Sequence, residues 1–172
     1  MSTVNSFLPI EDTECTILIL GTAPSKVSLE KHEYYGNPNN IFWDIIFHTL
    51  EDNILDGPIL KDYEEKQSIL LKNHIALWDV INYCERETNL DIDIKEEVLN
   101  DFKIFISSHP KIRTIIFNGK QAEKLFTSFK ASLPSSLHYI QLESTSPSNR
   151  KNPFYKLKQW KDELRKHIEY LS

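Results

Sequence analysis

The sequence predicts an α/β fold: one domain over residues 1–172, with a central, mainly parallel four-stranded sheet flanked by helices. Three observations lead there. Residues 16–20 and 114–117 are continuous apolar, β-branched runs without alternation, as strands buried on both faces require, and 75–81 and 137–142 add two further strand signals. Segments with apolar residues every three or four positions lie between and after them, which is helical spacing. Strand and helix signals therefore alternate, the pattern of a parallel sheet.

Taken in order, residues 1–15 are polar, with Phe7, Leu8 and Ile10 as anchors, and read as an irregular lead-in to the first strand. Residues 21–43 follow as a long loop carrying two tyrosines and three asparagines but only two glycines, a composition unlike a flexible linker. A helix is expected from Asn39 or Asn40, either of which suits an N-cap, to Leu50. Residues 51–58 read as a turn-rich connection, 60–74 as a second helix, 75–81 as a strand and the acidic 82–95 as a loop. Val98, Leu99, Phe102, Phe105 and Ile106 space one face of a helix over 96–107 that Pro110 closes. Asn118 and Gly119 stop the third strand, and 120–130 returns as a helix through Ala122, Leu125, Phe126 and Phe129. A second polar loop fills 143–152. The last helix runs over 153–170, opening on Pro153 and carrying Phe154, Leu157, Trp160, Leu164, Ile168 and Leu171 as its stripe.

Composition narrows the function. Cys15 and Cys84 stand alone, with no second ligand at metal spacing, so no metal site is expected and two reduced thiols in a cytoplasmic protein are. Residues 1–14 lack the basic start and apolar core of a signal peptide, and no apolar run approaches the roughly 18 residues of a membrane span. Net charge is −5, yet residues 1–101 hold 7 Lys and Arg against 20 Asp and Glu, and residues 102–172 hold 13 against 5. Such asymmetry suits an anionic partner on one side of the molecule, or disappears if the halves mix in space.

Ligands of open parallel sheets bind beyond the carboxyl ends of the strands. Those ends carry Gly21 and Thr22, Asp79, Asn118 and Gly119, and Glu143 to Ser146. The segment GTAPSKVSL followed by YYGNPNNIFW, then LWDV, CERE with LDIDI, FNG and STSP, resembles the uracil-DNA glycosylase superfamily in collinear order, most of all its hypoxanthine-DNA (deoxyinosine) glycosylase branch. The resemblance implies a monofunctional glycosylase that flips a deaminated base from DNA and hydrolyses its bond to deoxyribose, with no metal or organic cofactor, as a monomer away from membranes. Asn40 matches the asparagine that positions water in this branch, Tyr35 the aromatic that stacks on the flipped base, and Gly21, Thr22, Ala23 and Pro24 the turn that shapes the base pocket. Ser144, Thr145, Ser146, Pro147, Ser148, Asn149, Arg150 and Lys151 match the loop that grips the DNA backbone.

Plainer readings stand beside these. Asn40 can cap the adjacent helix, one of Tyr34 and Tyr35 can anchor the loop, Asn118 can serve the turn or a base edge, and Asp79 can reach the pocket or cap the next turn. The basic C-terminal helix reads first as a solvated face. Thr22 and Ala23 offer no carboxylate where relatives that process uracil or mismatched thymine place Asp or Asn. Ser25, Asn37, Asn39 and Glu143 depart from the family's Gly, His, Arg and Pro. A uracil or mismatch specificity, or a nucleic-acid-binding module without activity, are the alternatives.

Overall fold

The structure, a computed structural model, describes residues 2–51, 62–88, 90 and 93–169. Four parallel strands form the main sheet in the order β3-β2-β6-β7: β2 (Ile17–Gly21), β3 (Ile75–Asp79), β6 (Thr114–Asn118) and β7 (His138–Leu142). β2 and β6 are buried at every position because both sheet faces are covered. Ile17 and Ile19 point into a cluster with α2 (Phe42–Leu50), α3 (Tyr63–Lys72) and α6 (Pro153–Glu169), while Leu18 and Leu20 point into one with α4 (Phe102–Ser108) and α5 (Lys120–Lys130). Alternate side chains of one strand thus feed two cores, which is why the run shows no polar alternation.

Several boundaries differ from the sequence expectation. The lead-in contains β1 (Ser2–Asn5), and the expected loop at 82–95 contains most of β4 (Ile81–Arg86); with β5 (Lys95–Leu99) they make a three-stranded antiparallel sheet in the order β1-β4-β5. Two register shifts between β4 and β5 break the alternation that would have marked the strand, and one of its buried residues is Arg86, which a hydropathy pattern reads as exposed. The helix expected over 96–107 begins only at Phe102, because the Asp101 carboxylate accepts the N–H groups of Lys103 and Ile104. Upstream, Val98 is 53% exposed on β5. The connection expected at 51–58 lies outside the described residues apart from Glu51, as do the start of the helix expected from 60 and residues 170–172 with Leu171. α3 opens on a capping box between Asp62 and Glu65.

Residues 21–43 are packed rather than free. α1 (Lys26–Lys31) lies within them, capped by Ser25, whose hydroxyl accepts the Ser28 N–H; the serine that replaces the family glycine therefore has a local structural role. α2 starts at Phe42 with Ile41 at the cap position and no capping side chain, so neither Asn39 nor Asn40 is the cap residue, although Asn40 Oδ1 accepts the Phe42 N–H at 3.0 Å. On α6 Trp160 and Leu164 are buried, but Phe154 is 81% exposed and off the packed stripe. Lys156, expected on a solvated face, is buried instead, and that burial lowers its pKa. Among the described residues no helix is long and apolar enough to cross a membrane.

One junction positions the site. A single residue, Val80, separates β3 from β4, and the chain passes there from one sheet to the other. The N–H groups of Val80 and Ile81 donate to the carbonyls of Gly21 and Thr22, at 2.9 and 3.1 Å, extending the β2 ladder into the turn that follows it.

Candidate active site

At the carboxyl ends of β2, β3, β6 and β7 lies a cleft of about 410 Å³. Gly21, Thr22, Ala23, Pro24, Tyr35, Asn40, Asp79 and Asn118 all line it, as do Ser144, Thr145, Ser146, Pro147 and Ser148. Four separate stretches of sequence therefore converge on one cleft. Asn149, Arg150 and Lys151 do not line it.

The tyrosine pair divides its work. Tyr34 is buried, its hydroxyl donating to the carbonyls of Phe7 and Leu8 and its own carbonyl accepting the Trp43 indole N–H at 2.8 Å. Burial, with the Asp79 charge adding to it, pushes its pKa far up. Both tyrosines line the cleft, but Tyr35 is the less buried of the two. Its ring stacks on Phe42 with centroids 4.0 Å apart, and its backbone sits at φ +53°, a left-handed conformation that costs a non-glycine residue roughly 1–2 kcal/mol. Packing on Phe42 and hydrogen bonding at the hydroxyl hold it there. Gly21 makes room for this arrangement: a Cβ at that position would stand 2.5 Å from Asp79 Oδ1 and 2.8 Å from the Tyr35 hydroxyl oxygen.

Asn118 has a role that neither plain reading from the sequence anticipated. Its Nδ2 donates to the Tyr35 hydroxyl and to Thr145 Oγ1, and its Oδ1 accepts the Thr145 N–H, each at 2.9 Å. Both of its donor hydrogens and one acceptor lone pair are thereby used, so the side chain is a strut between the two motif loops. The Ile41 N–H adds a second link by donating to the Thr145 carbonyl at 3.3 Å. Gly119 beside it has φ +100°, and a Cβ there would meet that of Ser144 at 3.0 Å.

The loop over 144–151 is less uniform than its composition suggests. Thr145 is buried and committed to Asn118, so its hydroxyl is not presented to a phosphate. Asn149 donates to Glu143 and to the Ser144 carbonyl, and buried Lys156 holds the loop from beneath through the carbonyls of Ser146 and Asn149. Lys151 pairs with Glu143 at 2.5 Å; that bond, aided by the one from Asn149, holds the Glu143 carboxyl below its usual range. Pro147, Ser148 and Arg150 are exposed, and among the described residues Arg150 makes no ion pair.

The sequence reading missed Arg86 as a site residue. Its guanidinium is buried, lines the cleft and donates to the Pro24 carbonyl, tying β4 to the turn after β2. The signal was present in the CERE fragment, but a charge in a polar stretch reads as solvated. Among the described residues no group of three or more His, Cys, Asp or Glu side chains is placed to hold a metal ion.

A parallel sheet carries at its strand ends an aromatic- and amide-walled cleft between two motif loops, and the chain belongs to the uracil DNA glycosylase superfamily, whose family model matches residues 9–168. Among its relatives is the hypoxanthine DNA glycosylase of Methanosarcina acetivorans, 41% identical over 116 residues that cover 67% of this chain and 71% of the relative. The hypoxanthine DNA glycosylase of Methanosarcina barkeri is 37% identical over the same shares. The solution NMR structure of a candidate uracil DNA glycosylase from Methanosarcina acetivorans superposes with a TM-score of 0.82 at 34% identity, covering 98% of this chain and 99% of that one.

Proposed function

We propose that the protein is a monofunctional DNA glycosylase of base-excision repair that removes hypoxanthine from deoxyinosine, the activity named for its two Methanosarcina relatives. The observation that carries the mechanism is the placement of Asn40 in the cleft wall with Oδ1 oriented by the Phe42 N–H. An amide oxygen has two lone pairs, so the second can hold a water against C1′ of a flipped nucleotide. Tyr35, locked on Phe42, supplies the stacking surface for the extruded base. The glycosidic bond then breaks with positive charge growing on the sugar; the base departs with the bonding pair as an anion, the water oxygen bonds to C1′, and the proton that water releases neutralises the departed base. Gly21 to Pro24 form the floor against which the base is read. Asn118 holds Tyr35 and the second loop in place around it, and Asp79 lines the pocket beside them. Ser146, Pro147, Ser148 and Arg150 face the DNA backbone, while Ser144, Thr145, Asn149 and Lys151 shape that face.

We propose further that the protein acts as a monomer in the cytoplasm; the two buried free thiols, Cys15 and Cys84, support the reducing compartment. The test is a panel of duplexes containing inosine, uracil or mismatched thymine, followed by alkaline cleavage of abasic sites. Inosine is expected to be cleaved fastest, and Asn40→Ala to lose about 100-fold, within the range for one positioned group. Absence of abasic product above the Asn40→Ala background on every substrate would refute the enzyme. Asn37 and Asn39, which remove the family His and Arg, favour a second reading as a binding module without catalysis, for which damaged DNA is bound and no abasic product forms.

A further inference from the structure

A second groove, of about 580 Å³, begins where the base cleft ends, and the two share Tyr35, Asn37 and Asn40 as a common wall. Phe154, on the first turn of α6, lines this groove and not the base cleft. It is 81% exposed, whereas Leu157 and Trp160 on the same helix pack inward. Exposing a phenyl ring forfeits burial energy without a local return. Its neighbour Tyr155 differs, because Lys151 Nζ sits 5.8 Å from that ring's centroid. Among the described residues Phe154 has no ring or cation partner. The aromatic therefore stands open on the side of the wall opposite the base pocket, beside the loop that carries Arg150.

We propose that Phe154 is a stacking platform for the nucleotide adjacent to the flipped one on the same DNA strand. The inference rests on the glycosylase reading and extends it to a second subsite. A strand that drops one base into the cleft over the Asn37–Asn40 wall brings the next base to the groove, and every nucleobase offers a π-face to an open aromatic ring. Stacking there compensates for the neighbour interaction lost when the target leaves the helix. The subsite recognises any base, since it offers a ring and no base-edge partner.

The experiment is a cycle between protein and DNA, read by fluorescence anisotropy on a duplex carrying 2′-fluorodeoxyinosine, whose glycosidic bond resists cleavage. Phe154→Ala is expected to weaken binding about 10-fold, within the range of one base–aromatic stack, with Phe154→Trp restoring it and Phe154→Leu not. Replacing the 5′ or the 3′ neighbour of the lesion by an abasic spacer should abolish the difference between wild type and Phe154→Ala for one of the two. Ile104→Ala, an exposed apolar truncation on α4 outside both grooves, is expected to change nothing. Equal penalties with and without either neighbour, no penalty at all, or a penalty shared by Ile104→Ala would overturn the platform. So would unchanged DNA binding with an altered sedimentation coefficient, which would mark a protein contact instead. Because the readout is binding, a wild type that leaves no abasic product yet shows the neighbour-dependent loss defeats the catalytic reading alone.

Discussion

Asn118→Ala is the most informative single change, because it separates the strut from the surfaces it supports. The substitution removes three hydrogen bonds of 2.9 Å and leaves the buried Thr145 N–H without its acceptor. At about 1 kcal/mol net for each bond the loss is about 3 kcal/mol, with water entering the polar space offsetting part of the orphaned N–H. A chain of this size loses about 2–4 °C of Tm for each kcal/mol, so a drop of about 6–12 °C is expected. Tyr35→Phe breaks only one of the three bonds and keeps the stack on Phe42, so its drop should be about a third as large. The assay pairs thermal unfolding by circular dichroism with single-turnover excision from an inosine duplex at a temperature where both variants remain folded. Excision by Asn118→Ala should fall by about 100-fold, since a misplacement of about 1 Å can cost that much. Thermal stability within 2 °C of wild type, or equal damage from Tyr35→Phe, would show that the strut does not hold the loops together.

Three further outcomes follow from the geometry. Gly21→Ala should drive Asp79 and Tyr35 apart, lowering stability by about 1–3 kcal/mol and excision by more than 10-fold; unimpaired excision would show that the floor can yield. Glu143→Gln releases Lys151 from its ion pair, so DNA binding should tighten at low salt and the slope of log Kd against log salt should steepen by about one; an unchanged slope would place Lys151 off the DNA path. His167, whose Nδ1 lies 3.2 Å from Thr114 Oγ1, is held below its ordinary 6.5 by burial, so the unfolded chain takes up its proton first. That contribution to stability is complete above about 6.5 and is lost as pH falls through the lower folded value. Tm measured between pH 7.5 and 5.5 should therefore decline less steeply for His167→Gln than for wild type.

What could be read beforehand followed from how local its cause was. β2 and β6 declared themselves because a strand covered on both faces must be apolar throughout, and α5 because its boundaries coincide with Gly119 and its periodicity with one buried face. β4 did not, because bulges and a buried arginine remove the alternation that betrays a strand. The true start of α4 was missed because Val98 and Leu99, on the strand before it, continue its apolar spacing past the Asp101 cap. Within the site, the motif loops were legible as recurring residue types, but the roles of Tyr34 and Tyr35 depend on contacts with Phe7, Leu8 and Phe42 that lie elsewhere in the chain. Asn118 looked like a turn residue because its partners are 83 and 27 positions away. Arg86 was hidden for the same reason: its acceptor is Pro24, on another loop.

The junction at Val80 bears on how this family changes its chemistry. The carbonyls of Gly21 and Thr22 are clamped by the chain leaving β3, so the sheets help to set the backbone that carries Thr22 and Ala23. Ala23 packs against the cluster of Val4, Ile81 and Cys84, which makes Thr22 the position where a new side chain meets the least apolar packing. Thr22→Asp and Thr22→Asn test this directly, as point grafts of a carboxylate or an amide onto the clamped backbone. With the backbone clamp in place, the expected outcome of a Thr22 exchange is a changed floor side chain with the bonds of Asn118 around it intact.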